Sequence, residues 1–286
     1  MAITAALVKE LRERTGSGMM ECKKALVETD GDVDAAIELM RSKGQAKAEK
    51  RAGKVAAEGI TLMLSSDDSK TAVILEVNSE TDFVSKGDDF LGFSNAIARQ
   101  VLENKPADID ALMAMEIDGV AVDDVRKNLI AKIGENINIR RFQCIETEGQ
   151  VATYSHGARI GVLVEYDGGT AETGRDIAMH VAASNPNCIQ ESDVPAELLE
   201  KERRVVEAQA KESGKPDNII EKMVEGRINK FYSESCLIDQ IYIKDPDKKV
   251  GDLITGAIST LGENISINRF IRFAIGEADP TSNGQA

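Results

Sequence analysis

The body of this chain reads twice, and that constrains its fold more than anything else in it. Val73-Ile-Leu-Glu-Val77 returns as Val162-Leu-Val-Glu-Tyr166, and Glu58-Gly59 returns as Glu148-Gly149. Further on, Val122-Asp-Asp-Val-Arg-Lys-Asn-Leu-Ile-Ala-Lys-Ile-Gly-Glu-Asn-Ile-Asn-Ile-Arg-Arg-Phe142 matches Val250-Gly-Asp-Leu-Ile-Thr-Gly-Ala-Ile-Ser-Thr-Leu-Gly-Glu-Asn-Ile-Ser-Ile-Asn-Arg-Phe270. An internal repeat implies one supersecondary plan used twice, here strand, strand, helix, connection, helix, strand. Phe90, Phe93, Ile97 and Val101 recur at helical spacing after Asp88-Asp89. Val122, Val125, Leu129 and Ile133 do so again before Gly134, which suits the left-handed position after a helix. Ile137 and Ile139 alternate with Asn136 and Asn138, the period of a half-buried strand, and Gly262, Ile265 and Ile267 repeat this in the second copy. The expected class is α+β, with two subdomains of antiparallel sheet and helix spanning 55–142 and 143–190 plus 233–275.

The spacing between matching positions widens after Val101 and Val181, which places an insertion in the second copy between Ala182 and Lys249. Inside it, Pro195 to Glu212 is charged and strongly helix-favouring, Ser213-Gly214-Lys215-Pro216 breaks the run, and Asp217 can cap a helix carrying Ile220, Met223, Val224 and Ile228. An antiparallel helical hairpin over 191–232, projecting as a coiled coil with no core of its own, is expected. Ahead of the repeat, residues 1–54 read as a small module of three helices plus a linker. Thr4 caps the first helix, Gly16-Ser17-Gly18 turns into the second, and Gly44 closes the third, whose apolar face is Val33, Ile37 and Met40. Cys22, Ala25 and Leu26 point inward from the second helix, so adjacent Met19 and Met20 cannot both do so, and at least one lies at the surface. Lys43 to Lys54, rich in Lys, Arg and Ala, reads as a solvated helical linker.

Charge and composition remove several classes of function. Thirty-five Lys and Arg against 49 Asp and Glu give a net charge of −14, which repels phosphate backbones and anionic lipid. With no Trp and 4% aromatic residues there is no base-stacking surface, so nucleic acid is not an expected partner. No apolar run reaches transmembrane length and no secretory h-region follows Met1, so a cytoplasmic protein is expected. Cys22, Cys144, Cys188 and Cys236 are widely spaced without a C-x-x-C pair, and read as four scattered free thiols rather than a metal site. No G-x-x-x-x-G-K-[ST] loop is present, and Gly16-x-Gly18 follows no strand, so neither phosphate-cradling fingerprint applies. His156, in Tyr154-Ser-His-Gly157, has no partner at nucleophile spacing. Neither a cofactor nor bond-making chemistry is expected.

What remains is a binding surface. The apolar run Val73 to Val77 suits a buried strand, and Asn78-Ser-Glu-Thr-Asp82 ends it in a polar turn with Phe83 at its tip. A phenyl ring beside a carboxylate in such a place is either a core plug or a probe aimed at a partner.

The segment Asn78-Ser-Glu-Thr-Asp-Phe-Val84 resembles the Thr-Asp-Phe-Val signature of the bacterial elongation factor Ts family. Leu11-Arg-Glu-Arg-Thr-Gly-Ser-Gly-Met-Met-Glu-Cys-Lys-Lys-Ala-Leu26 resembles the amino terminus of the same family, and the likeness covers nearly all of residues 2 to 273. The resemblance implies a ubiquitin-associated (UBA-like) fold for the three-helix module. It also implies a guanine-nucleotide exchange factor that binds the GTPase elongation factor Tu with GDP and speeds GDP release. On this likeness Thr81, Asp82, Phe83 and Val84 enter the GTPase near its magnesium site. Arg12, Met19 and Met20 contact its nucleotide domain, Ile133 and Gly134 lie on the partner-facing side, and His156 lies near the partner. The hairpin is implied in homodimer formation. Many members carry a further carboxy-terminal helix, whereas Gly276 to Ala286 here reads as a disordered tail. The competing reading is a UBA-type adaptor or dimeric scaffold without exchange activity.

Overall fold

The structure, a computed structural model, describes residues 3–212 and 216–277. The expected helix break at Ser213 to Lys215 and most of the expected disordered tail, 278–286, therefore lie outside the described residues. The chain forms two compact units, residues 1–64, 73–144 and 274–286 in one, and 65–72 with 145–273 in the other.

The first unit opens with α1 (Ala5–Thr15), α2 (Met19–Glu28) and α3 (Val33–Arg51). Thr4 Oγ1 accepts the Leu7 N–H and Asp32 Oδ1 the Ala35 N–H, so two of the three helices start on a side-chain cap. Val8, Leu11, Cys22, Ala25, Leu26 and Ala36 fill the space between them. Two expectations need correction here. The third helix does not end at Gly44 but runs on to Arg51, and Lys43 to Lys54, helical and mostly exposed as expected, is not solvated throughout, since Gly44 and Ala48 are buried. The missing Cβ at Gly44 permits a close helix crossing, since a Cβ there meets that of Ala131 at 3.0 Å, and Ala48 is buried in the main core. The charged residues of α3 here turn outward: Arg41, just before the stretch, pairs with Asp124, Lys43 with Glu28 and Lys47 with Glu21.

Strands β1 (Glu58–Ser65) and β2 (Thr71–Ser79) form a three-stranded sheet with a later strand, and β2 lies in the middle. Every residue of β2 from Ala72 to Ser79 is buried, which explains a continuous apolar run rather than an alternating one. Then come α4 (Asp82–Ser85), α5 (Asp88–Asn104), α6 (Ile109–Ala114), the short antiparallel pair β3 (Glu116–Ile117) and β4 (Val120–Ala121), α7 (Val122–Ile133) and β5 (Ile137–Glu146). Phe90, Phe93, Ile97 and Val101 of α5 and Ile130 of α7 pack on Val73, Leu75, Val77, Ile137 and Ile139. Glu76 is buried completely within this sheet, and Arg140 and Arg141 of β5 hold its two oxygens at 2.9 and 2.7 Å. A buried carboxylate is tolerable only when its lone pairs are taken in this way.

In the second unit, β6 (Gln150–His156) pairs antiparallel with β7 (Ile160–Asp167), followed by α8 (Ala171–Ser184), α9 (Ala196–Glu212), α10 (Asp217–Ser235), α11 (Val250–Leu261) and β8 (Ser266–Ala274). The sheet order is β6-β7-β8. Val162, Val164, Ile177, Val181, Leu237 and Val250 form its core. His180 is buried there: its Nδ1 accepts the Ile243 N–H at 3.3 Å and its Nε2 lies 2.9 Å from Gln240 Oε1. Burial lowers the pKa of this ring, which keeps it neutral and able to accept. The hairpin α9–α10 is present, but the expectation that it lacks a core of its own is wrong. Val206, Ala210, Val224 and Ile228 bury against one another, so each helix covers the stripe of the other. Asp217 is the first helical residue of α10 and makes no cap, that position being Pro216.

The tight crossing of α3 over α7 is testable. Gly44→Leu should cost about 1–3 kcal/mol in denaturant unfolding by overpacking. Gly92→Ala, on α5 with nothing within 4 Å of the added Cβ, should stabilise by about 0.5–1 kcal/mol. An unchanged Gly44→Leu protein would contradict the crossing.

Candidate functional site

The polar turn expected after β2 is a single turn of helix, α4, and it sorts its side chains sharply. Phe83 is 87% exposed, so the ring is not a core plug. Val84, next to it, packs on the core, and Ser85 is buried with its hydroxyl donating to the Asp82 carbonyl at 3.0 Å. Asp82 and Lys86, one turn apart, pair at 2.6 Å, and that hydrogen bond holds the Asp82 carboxyl below its ordinary pKa. Val84 and Ser85 anchor the element, and Phe83 just before them is left pointing at water.

The base of the turn is tied to the segment between α7 and β5. Gly134 ends α7 with φ of 86°, a left-handed value that glycine adopts without strain. Glu135 follows, and its carboxylate accepts both the Thr81 N–H at 2.9 Å and the Thr81 hydroxyl at 2.7 Å. Glu80 reaches back, accepting the Asn136 N–H at 2.7 Å and both hydrogen bonds of Arg51 Nη1 at 3.0–3.1 Å. Asn136 is buried, contrary to the alternation expected of it, because its amide donates to the Lys54 carbonyl at 2.8 Å. Ser79 closes the set by donating to the Thr81 carbonyl at 2.8 Å. The end of β2, the start of β5 and the end of α3 are thereby laced together under the exposed ring.

The other residues singled out fall into three groups. Gly134 is exposed beside this lacing, while Ile133 is half-buried against the core and supports it from beneath. Arg12, Met19 and Met20 are all exposed, and the two methionines are 62% and 66% accessible, so both lie at the surface. The reason is that the buried stripe of α2 begins at Cys22, which leaves the first turn overhanging the small core. The α1–α2 turn and the end of α7 are neighbours: a Cβ at Gly16 would lie 3.6 Å from Lys132 Nζ, which pairs with Asp89 at the start of α5. His156 belongs to the second unit, exposed at the end of β6, with Nδ1 3.4 Å from the Tyr154 hydroxyl.

Glu80, Arg51 and Glu135 were not singled out by the sequence. Glu135 lies between Gly134, which marks the end of a helix, and Asn136, which opens the alternation of a strand, and nothing local points to its partner Thr81. No group of three or more His, Cys, Asp and Glu side chains among the described residues is arranged to hold a metal ion.

Comparison with known proteins places this arrangement. The family model described as Elongation factor TS matches residues 80–277, from the foot of the exposed turn onward. A protein named Elongation factor Ts from Alkalilimnicola ehrlichii is 56% identical, covering 97% of this chain and 93% of its own length. Proteins of the same name from Thioalkalivibrio sulfidiphilus and Methylococcus capsulatus are each 55% identical over the same shares. With a matching model over well over half its length and relatives of this identity along nearly all of it, the chain belongs to the elongation factor Ts family.

Proposed function

We propose that this protein is a guanine-nucleotide exchange factor that binds elongation factor Tu carrying GDP and speeds GDP release with the Asp82-Phe83 turn. The observation that carries the reading is the exposure of Phe83 on a turn fixed by Glu135 and Glu80. An inserted wedge needs a rigid base, because a ring on a loose loop loses its binding energy to ordering. The tip Thr81 to Val84 meets the GTPase near its magnesium site, with Phe83 entering while Val84 anchors the turn on its own core. Displacing the elements that hold the metal loosens the β-phosphate too, since both depend on the same preorganised ligands. A protein that prefers the nucleotide-free GTPase must weaken nucleotide binding by the factor by which nucleotide weakens its own. No bond is made or broken by the factor itself.

On this reading Arg12, Met19 and Met20 dock on the nucleotide domain, Gly134 faces the partner with Ile133 behind it, and His156 makes a further contact. Residues 1–54 act as a UBA-like docking module, and the two α+β subdomains are diverged copies of one unit. Each copy uses the glutamate of its Gly-Glu-Asn in a similar way: Glu263 accepts the Gly169 N–H at 2.9 Å as Glu135 accepts that of Thr81. The factor works in the cytoplasm, and among the described residues no helix is long and apolar enough to cross a membrane.

Removing the ring is the direct test. Truncating an interface anchor costs about 2–4 kcal/mol, and ~1.4 kcal/mol is a factor of ten, so Phe83→Ala should slow release of a fluorescent GDP analogue by tens- to several hundred-fold in stopped flow. Asp82→Ala should do less, its carboxylate being at a wet rim. Both should keep the wild-type melting temperature. Full exchange activity in Phe83→Ala would sink the wedge and leave a UBA-type adaptor or scaffold as the better account.

The hairpin carries a second element of the proposal. Leu198 and Val205, seven residues apart on α9, stay exposed, as does Ile219 on α10. They supply the seam of a homodimer. Light scattering of wild type and of Leu198→Ser with Val205→Ser should show the dimer mass lost in the variant; equal masses would remove the dimer.

A further inference from the structure

Cys188 and Cys236, far apart in the sequence, are not scattered in the fold: their sulfur atoms lie 3.2 Å apart. Cys188 follows α8 and Cys236 ends α10, so the pair sits at the foot of the α9–α10 hairpin, one thiol on the strand of chain that enters it and one on the strand that leaves. The two residues form a parallel bridge, in which the Leu237 N–H donates to the Cys188 carbonyl at 2.9 Å and the Cys188 N–H to the Ser235 carbonyl at 3.3 Å. Neighbouring strands run about 4.7–4.9 Å apart, inside the window of about 4.4–6.8 Å that a disulfide needs between Cα atoms. Their accessibility differs. Cys236 is fully buried, whereas Cys188 is half-buried and lines a cavity of ≈ 720 Å³ together with Asp193, Ile238, Ile254 and Phe270. A small molecule reaching the cavity meets Cys188 first.

We propose that Cys188 and Cys236 form a reversible redox pair that staples the base of the helical hairpin, with a low-molecular-weight disulfide of the glutathione type as oxidant. The Cys188 thiolate attacks one sulfur of the oxidant, its S–S bond breaks, and the departing thiolate takes a proton from water. Cys236, having given its proton to water, attacks Cys188 Sγ in the mixed disulfide and displaces the second small thiol. Two protein thiols are thus oxidised to one disulfide while the oxidant is reduced to two thiols. Burial pushes the Cys236 thiol up to about 12 and raises Cys188 as well, so the reduced pair is a poor nucleophile and oxidation is slow. In the reduced protein the foot of the hairpin is held by non-covalent contacts, among them the hydrogen bonds from the Ile238 N–H to the Ile189 carbonyl at 3.0 Å and from Gln240 Nε2 to the Glu234 carbonyl at 2.7 Å. In the oxidised protein the same foot is covalently closed, which removes freedom from the unfolded chain.

The test uses the full chain, fully reduced and then incubated with oxidised glutathione, followed by alkylation, thiol counting and peptide mass mapping. The expected result is one intrachain link between the peptides of Cys188 and Cys236, the thiols of Cys22 and Cys144 still titrating, and a melting temperature higher by roughly 5–10 °C. Cys188→Ser, at the half-buried position, should fold and show no such rise on oxidation. Four titrating thiols after prolonged incubation, glutathione retained on Cys188, a link between two chains, or the same rise in Cys188→Ser would each overturn the proposal.

Discussion

Two carboxylates that cross between the end of β2 and the start of β5 hold the exposed turn in place. Glu80 accepts the N–H of Asn136, and Glu135, one residue before it, accepts the N–H and hydroxyl of Thr81. Hydrogen bonds to charged acceptors are worth about 1.5–3 kcal/mol each where water is excluded, and less at an exposed site such as Thr81. Their joint effect is positional. They fix Thr81, the residue just before a one-turn helix whose own single turn could not hold it. Phe83 then remains in water at a forgone burial of about 1.5–3 kcal/mol, a quantity that a partner able to cover the ring could recover.

The same end of the first unit gathers other exposed groups through ordinary packing. Because α3 continues past Gly44 and lies on α7, the three-helix module is held against the core by Gly44, Ala48 and Ala131. That brings the α1–α2 turn beside Lys132 and the exposed Met19 and Met20 just after it. A module on a loose linker would have left their placement relative to Phe83 undetermined.

Much of this was legible in the sequence, for reasons that can be named. The helices around Phe90, Phe93, Ile97 and Val101 and around Val122 to Ile133 followed from apolar spacing, and Gly134 from the left-handed position it occupies. The strand Val73 to Val77 followed from a run rich in branched residues, interrupted only by Glu76. What was missed is long-range. Gly44 reads as a stop in isolation and as a contact only once Ala131 faces it. Val206 and Ala210, the α9 side of the hairpin's small core, lie in a run that reads only as charged and helix-favouring. Glu135, Glu80 and Arg51 are ordinary surface residue types whose partners lie tens of positions away, and the same is true of Cys188 and Cys236. The exposure of Phe83 itself could not be read locally, since plug and probe share a sequence.

The claim that a fixed base makes the ring effective is tested most directly by a double-mutant cycle on nucleotide release from elongation factor Tu. Glu135→Ala and Phe83→Ala are measured singly and together, with circular dichroism confirming that each variant is folded. Contacting or coupled residues differ from additivity by about 0.5–3 kcal/mol. Glu135→Ala alone should slow exchange about tenfold, an effect of ~1.4 kcal/mol, by freeing Thr81 and the turn above it. In the Phe83→Ala background, where no ring remains to be positioned, it should change the rate less than about twofold. If removing Glu135 leaves exchange at the wild-type rate, or slows it equally with and without the ring, the base does not act through Phe83 and the account fails.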